Sequence, residues 1–361
     1  MGMREITIDH LDDIARGAAV LGTGGGGDPY IGTLLALSAM KGKPPVTLLD
    51  PSELADDDLV VPTAMMGAPT VMVEKIPSGN EAAAAIKRLG AMLGGEIRAT
   101  IPIEAGGVNS LIPFSVAAML GIPLVDADGM GRAFPELQMV IPTIWGISAT
   151  PMAMADDKGN GVVLDTINNQ WTEKFARSLT VDMGASALIA IYPMTGKQIR
   201  ESMIPGSISL VQRVGTAIRE ARERHTDPVA AACEVTRGYR IWNGKVGDVE
   251  RRTVGGFARG TATIEGSGEL DGRTLELDFQ NEFLIARSGD ETLVTTPDLI
   301  AVLDVETGEP ITTEALRYGL RVAVIAMPCD AQWRAPAGLD LVGPGYFGYD
   351  VPFVPVEQRF A

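Results

Sequence analysis

Apolar residues recur at helical spacing near the start of the chain. Leu11, Ile14, Ala15, Ala18 and Leu21 share one face, with Asp9 placed as a cap. A second helix is predicted through Ile31, Leu34, Leu35 and Ser38. Asp28-Pro29 opens it, a capping carboxylate followed by proline at the first helical position. Beyond it the pattern alternates. Val46–Leu49 and Leu59–Met66 are short apolar runs closed by turn residues, and Asn80–Leu93 carries Ala83, Ile86, Leu89 and Leu93 near one helical face. Arg98–Ile103 reads as a strand, Asn109–Leu120 as a helix and Pro123–Val125 as a buried strand. Near-continuous apolar strands alternating with helices predict an α/β fold with a mainly parallel sheet covered on both faces.

Around Asn168–Trp171 the pattern changes. Helical spacing dominates over Trp171–Ser178, Thr195–Met203, Ser207–Arg224 and Asp227–Val235. From Arg237 onward strand-like alternation takes over, with glycine turns between Arg251–Ile264, Thr274–Arg287 and Glu291–Val305. The expected organisation is an α/β domain over 1–168, then a separate helical and β-rich carboxyl-terminal domain over 169–361.

The two opening helices are joined by Gly22-Thr23-Gly24-Gly25-Gly26-Gly27, five glycines in six positions. Each glycine loses more backbone entropy on folding than any other residue, so packing alone does not call for them. Bare amides beside a helix start can hold an anion or a polar carbonyl, which makes Gly24, Gly25, Gly26, Gly27 and Asp28 candidate substrate-binding residues. A tight turn between helices also fits, although one or two glycines suffice for that. A dinucleotide fingerprint needs a strand before the glycines, and a P-loop needs Gly-Lys-Ser/Thr after them; neither is present.

With 46 acidic against 30 basic residues the net charge is −16, a sign that argues against nucleic acid and anionic membranes as partners. Two widely spaced cysteines do not make a disulfide framework, and no apolar run approaches the length of a membrane span. A cytoplasmic location is expected, with a small-molecule substrate and further copies of the chain as partners. With only His10 and His225, a histidine-rich zinc site or a Ser-His-Asp triad is an unpromising basis for chemistry.

Parallel sheets bind ligands at the carboxyl ends of their strands. The richest loop expected there is Asp126-Ala-Asp128-Gly-Met-Gly-Arg132-Ala-Phe-Pro-Glu136. Asp126, Asp128, Arg132 and Glu136 are the candidate catalytic set, a carboxylate base held by a guanidinium. Asp126 and Asp128 as turn caps, with Arg132 paired to one of them, is the alternative. Glu104 and Asn109 flank Gly106-Gly107 in the next loop, and Asn109 fits equally as the cap of its helix. Lys75 is a candidate for a substrate carboxylate or a surface lysine. Asp126, Asp128, Glu104 and Glu136 also form an oxygen-rich set suited to a hard divalent metal. Arg132 among them competes for the same lone pairs, so the cofactor expectation leans towards none.

Six segments then fall into a recognisable order. Leu21–Tyr30, Glu104–Asn109, Asp126–Glu136, Asn281–Leu284, Pro297–Ile300 and the Trp333–Asp350 ending together resemble the S-methyl-thiohydantoin desulfurase family over nearly the whole chain. The resemblance implies an α/β amino-terminal domain, a β-rich carboxyl-terminal domain and a hydrolase that converts a methylthio-substituted imidazolone to a hydantoin. The family's genes often lie beside those of hydantoinases. A non-catalytic accessory role beside a hydantoinase-type partner is therefore the alternative.

Overall fold

The computed structural model describes residues 4–67 and 80–360. The first helix runs Leu11–Leu21 and the second Pro29–Met40, the latter capped by Asp28, whose carboxylate accepts from the Tyr30 amide at 2.8 Å. The helix predicted over 80–93 is present as Asn80–Leu93. The next one begins later than expected, at Ile112, because residues 108–111 form a turn and Asn109 has other partners.

The first sheet is mixed, which corrects the expectation of a mainly parallel one. Strands Val46–Leu49, Leu124–Val125, Ile97–Pro102 and Leu59–Gly67 form a parallel centre in that spatial order. Antiparallel strands flank it: Arg4–Ile6 on one side, then Ser186–Ala190, Met152–Ala155 and Gly161–Leu164 on the other. The reason lies in the connections. A parallel pair needs a crossover, whereas the short turn between Ala155 and Gly161 allows only a hairpin. Strand Leu59–Gly67 is buried along seven consecutive residues, as a two-faced central strand must be.

The second sheet is antiparallel throughout and has eight strands. Its longest, Tyr239–Val254, pairs with Phe257–Gly266 on one side and with Arg321–Met327 on the other. Trp242, Phe279 and Phe283 anchor its own apolar cluster. A larger cluster runs from the first sheet through the helices to strands Leu299–Asp304 and Arg321–Met327. Among the described residues no helix is long and apolar enough to cross a membrane.

Helix Ser207–Glu223 lies against helix Leu11–Leu21 at backbone contact. A Cβ on Gly17 would sit 1.8 Å from the Val211 carbonyl oxygen, and one on Gly215 would sit 1.8 Å from that of Asp13. Each helix thus seats its glycine on the other's backbone, and neither backbone can yield locally. Asp13 locks the crossing, accepting from Thr216 at 2.7 Å and from Arg219 at 3.0 Å. Gly17→Ala should therefore destabilise the protein by about 2 kcal/mol or more, despite alanine's better helix propensity. Chemical denaturation measures this; an unchanged or raised midpoint would mean that the helices separate without cost.

Candidate functional site

Loops at the carboxyl ends of the parallel strands converge with the glycine-rich turn and one edge of the second sheet. Strand Ile97–Pro102 leads into Glu104, and strand Leu59–Gly67 ends beside it. Asn109 ties the two together. Its side-chain oxygen accepts from the Met65 amide at 2.8 Å, and its Nδ2 donates to Glu104 Oε1 at 2.6 Å and to the Met65 carbonyl at 3.3 Å. Asn109 is thus a positioning residue for Glu104, and the following helix is left without a side-chain cap.

The glycine turn crosses directly over this loop. The Gly26 carbonyl accepts from the Val108 amide at 2.8 Å, and a Cβ on Gly26, where φ is +73°, would meet the Gly106 Cα at 2.4 Å. On its other side the turn abuts the second sheet. The Thr23 carbonyl accepts from the Phe283 amide at 2.7 Å, and that of Gly24 from the Thr313 amide at 2.9 Å. A Cβ on Gly25 would lie 2.0 Å from Glu282 Oε1. The succession of glycines is therefore required by close approach on two sides. Gly26 and Gly27 line the cleft, and their amides donate to no acceptor among the described residues.

Arg132 fixes this junction. It is fully buried and makes no ion pair among the described residues. Its Nε donates to the Ala133 carbonyl at 3.0 Å, and Nη1 to those of Pro297 at 3.0 Å and Asp298 at 2.8 Å. Nη2 donates to Thr23 Oγ1 at 3.0 Å and to the Phe283 carbonyl at 3.2 Å. The Phe134 ring covers the guanidinium 4.4 Å from its centroid. Burial pulls its pKa down to about 10, so it stays charged at neutral pH.

Of the three carboxyls that line the cleft, Glu104 and Glu282 are buried and Glu136 is half-buried. Glu104 is pushed up to about 7, first by loss of water and only partly offset by Asn109, the Phe134 amide and Arg132. Glu282 is raised well above the usual carboxylate range, again mainly by burial and next by the charge of Glu104. Its Oε2 has no hydrogen-bond partner among the described residues. Burial thus favours the protonated form of both carboxyls relative to a free glutamate, and the Arg132 charge opposes it on each.

Other residues proposed from the sequence are placed elsewhere. Asp126 accepts from the amide and hydroxyl of Ser209, and Asp128 from the amides of Met130 at 2.9 Å and Gly131 at 2.7 Å and from the Ser207 hydroxyl. Both thus hold the turn and the start of helix Ser207–Glu223, and neither lines the cleft. Asp128 is pushed up to about 6 by burial, against those hydrogen bonds. Glu136 does reach the cleft, where its carboxylate accepts from Tyr346 at 2.8 Å and from Gln138. Asp28 is occupied as a helix cap, and Gly24 accepts from Thr313 outside the lining. Lys75 lies outside the described residues. The four carboxylates considered for a metal do not converge, and among the described residues no three candidate ligands gather. Glu282 escaped the sequence reading, although a glutamate within Phe279-Gln-Asn-Glu-Phe-Leu-Ile is a charge inside an apolar strand run.

A mixed α/β sheet joined to an antiparallel one, with a buried acidic cleft where they meet, defines a two-domain α/β protein with the features of a small-molecule site. The chain belongs to the S-methyl-thiohydantoin desulfurase family: the S-Me-THD-like N-terminal domain matches residues 9–166 and the S-Me-THD-like C-terminal domain residues 167–356. The fold resembles that in a crystal structure of a protein from Chromobacterium violaceum, with a TM-score of 0.82, 24% identity, and coverage of 98% of this chain and 100% of that one. No curated protein matches the sequence.

The raised carboxyls set the sign of a pH dependence. Glu104 binds its proton more tightly folded than unfolded, so its contribution to stability is lost as pH rises from about 4.5 to about 7. Glu104→Gln should remove that dependence. Between pH 5 and 8 the variant should gain on the wild type by roughly 3 kcal/mol at most. Denaturation at several pH values measures it; a constant difference would mean that Glu104 ionises normally. Asp128→Asn should lower stability by about 1 kcal/mol through weakened capping. Its turnover should stay within a few-fold of wild type, and a loss of a hundredfold in a folded variant would put Asp128 back in the chemistry.

Proposed function

We propose that the cleft hydrolyses a cyclic imidazolidine-like ring carrying a methylthio group, releasing methanethiol and leaving a hydantoin. The observation that carries this reading is the buried Glu104, oriented by Asn109 in a cleft also lined by Gly26 and Gly27, whose amides have no acceptor among the described residues. Family membership supports the same class of substrate.

A ring carbon between two nitrogens needs water delivered and the resulting ring charge stabilised. Glu104, ionised near neutral pH, is suited to take a proton from water as the oxygen bonds to that carbon. The C=N electron pair moves onto the ring nitrogen, where the two glycine amides are suited to stabilise it. Phe134, Ile103 and Met130 supply an apolar floor for a flat ring. The base and the amides both belong to this chain, so the reading needs no metal. Further copies of the chain and a hydantoinase-type partner remain part of the proposal.

Purified protein should release one thiol per 2-methylthio-imidazolone consumed. Glu104→Gln should reduce turnover by about a hundredfold or more while the fold persists, the scale expected for losing a general base. Thiol titration and circular dichroism together check it. A wild-type protein that binds the heterocycle without releasing thiol would favour an accessory role instead.

A further inference from the structure

Glu282 and Asn281 come from the second sheet at a site otherwise lined by the first sheet, its loops and Arg177. Resting on the hydrolase reading above, we propose that Glu282 is the general acid of the reaction, protonating the departing thiolate. Asn281 reverses the chain between strands Thr274–Gln280 and Glu282–Ser288 at φ +59°. Its amide donates to the Ala258 carbonyl at 2.7 Å, its side-chain oxygen accepts from the Ala258 amide at 2.9 Å, and its own carbonyl accepts from Thr313 at 2.7 Å. Asparagine is among the residues that adopt this left-handed conformation most readily, and the three hydrogen bonds fix the reversal in place. The reversal places the Glu282 carboxyl against Gly25, where no Cβ could fit, so that Glu282 lines the cleft shared with Glu104 while its Oε2 is buried with no partner among the described residues.

Nothing among the described residues neutralises Glu282 by a direct ion pair. Arg132, whose charge acts on Glu282, has its guanidinium hydrogens on backbone carbonyls and Thr23. A positive charge beside two buried carboxyls favours one proton on the pair, and Glu282, whose buried Oε2 has no partner among the described residues, is the member suited to hold it. An alkylthiolate leaves poorly unless protonated, and this is the step the mechanism lacks. Once water has added, the C–S bond breaks as the ring nitrogen's electron pair restores C=N. The sulfur keeps the bonding pair and takes the Glu282 proton to become methanethiol. The resulting hydroxyimidazolone tautomerises to the hydantoin, and the proton held by Glu104 returns to Glu282, restoring both groups.

The test compares two leaving groups on one ring, methylthio and trifluoroethylthio, whose thiol is far more acidic. With Glu282→Gln, which keeps shape but has no proton to transfer, methylthio turnover should fall about a hundredfold or more, and trifluoroethylthio turnover by less than tenfold. Equal losses on both substrates, or none on either, would overturn the assignment while leaving the hydrolase reading intact. Should the variant not fold, the wild-type pH profile decides. An alkaline limb for the methylthio compound that is absent for the trifluoroethylthio one supports Glu282 as acid, and the same limb for both overturns it. Wild-type protein that releases neither thiol overturns the hydrolase reading, and the acid role with it.

Discussion

A single buried guanidinium holds the two halves of the site in register. Arg132 comes from a loop of the first sheet, yet three of its five hydrogen bonds end on carbonyls of Phe283, Pro297 and Asp298. A fourth reaches Thr23 at the head of the glycine turn. Removing it would orphan four buried carbonyls and a hydroxyl at once, and an unsatisfied buried group costs about 1–3 kcal/mol. Its planar fork suits this role better than a lysine ammonium, which cannot serve divergent carbonyls from one rigid plane.

The same charge governs the chemistry of the cleft. Buried carboxyls resist ionisation, and here desolvation is the largest influence on both Glu104 and Glu282. Arg132 pulls the other way on each. The difference between the two lies in their neighbours: Glu104 has Asn109 and the Phe134 amide to stabilise its anion, whereas Glu282 has an oxygen with no partner among the described residues. Two identical side chains are thereby both raised, Glu282 with fewer groups to stabilise its anion than Glu104, and such a difference in surroundings is how a site can acquire an acid and a base. The glycine turn is what lets them share a cleft, since a side chain at Gly25 or Gly26 would separate the walls.

Much of this was legible in the sequence where the cause is local. Helical spacing gave the helices Leu11–Leu21 and Asn80–Leu93. The order of strand and glycine-rich loop located Glu104 and Asn109 at the carboxyl ends of parallel strands. What could not be read depends on distant residues. Asp126 and Asp128 follow a buried strand as a catalytic acid or a cap would, and the deciding partners, Ser209 and Ser207, lie 83 and 79 positions away. Strand Ser186–Ala190 reads as an apolar run in any register, and only pairing with Leu59–Gly67 makes the first sheet mixed. Glu282 sits in a second sheet that reaches the cleft only because Arg132 and the glycine turn bring it there.

The central claim is that water held in this cleft replaces sulfur on the ring carbon. Turnover of a 2-methylthio-imidazolone in water enriched in heavy oxygen, followed by mass spectrometry of the product, tests it directly. The account predicts one heavy oxygen at the new ring carbonyl for every methanethiol released. A hydantoin carrying no label, or a ring recovered with its sulfur in place, would contradict it.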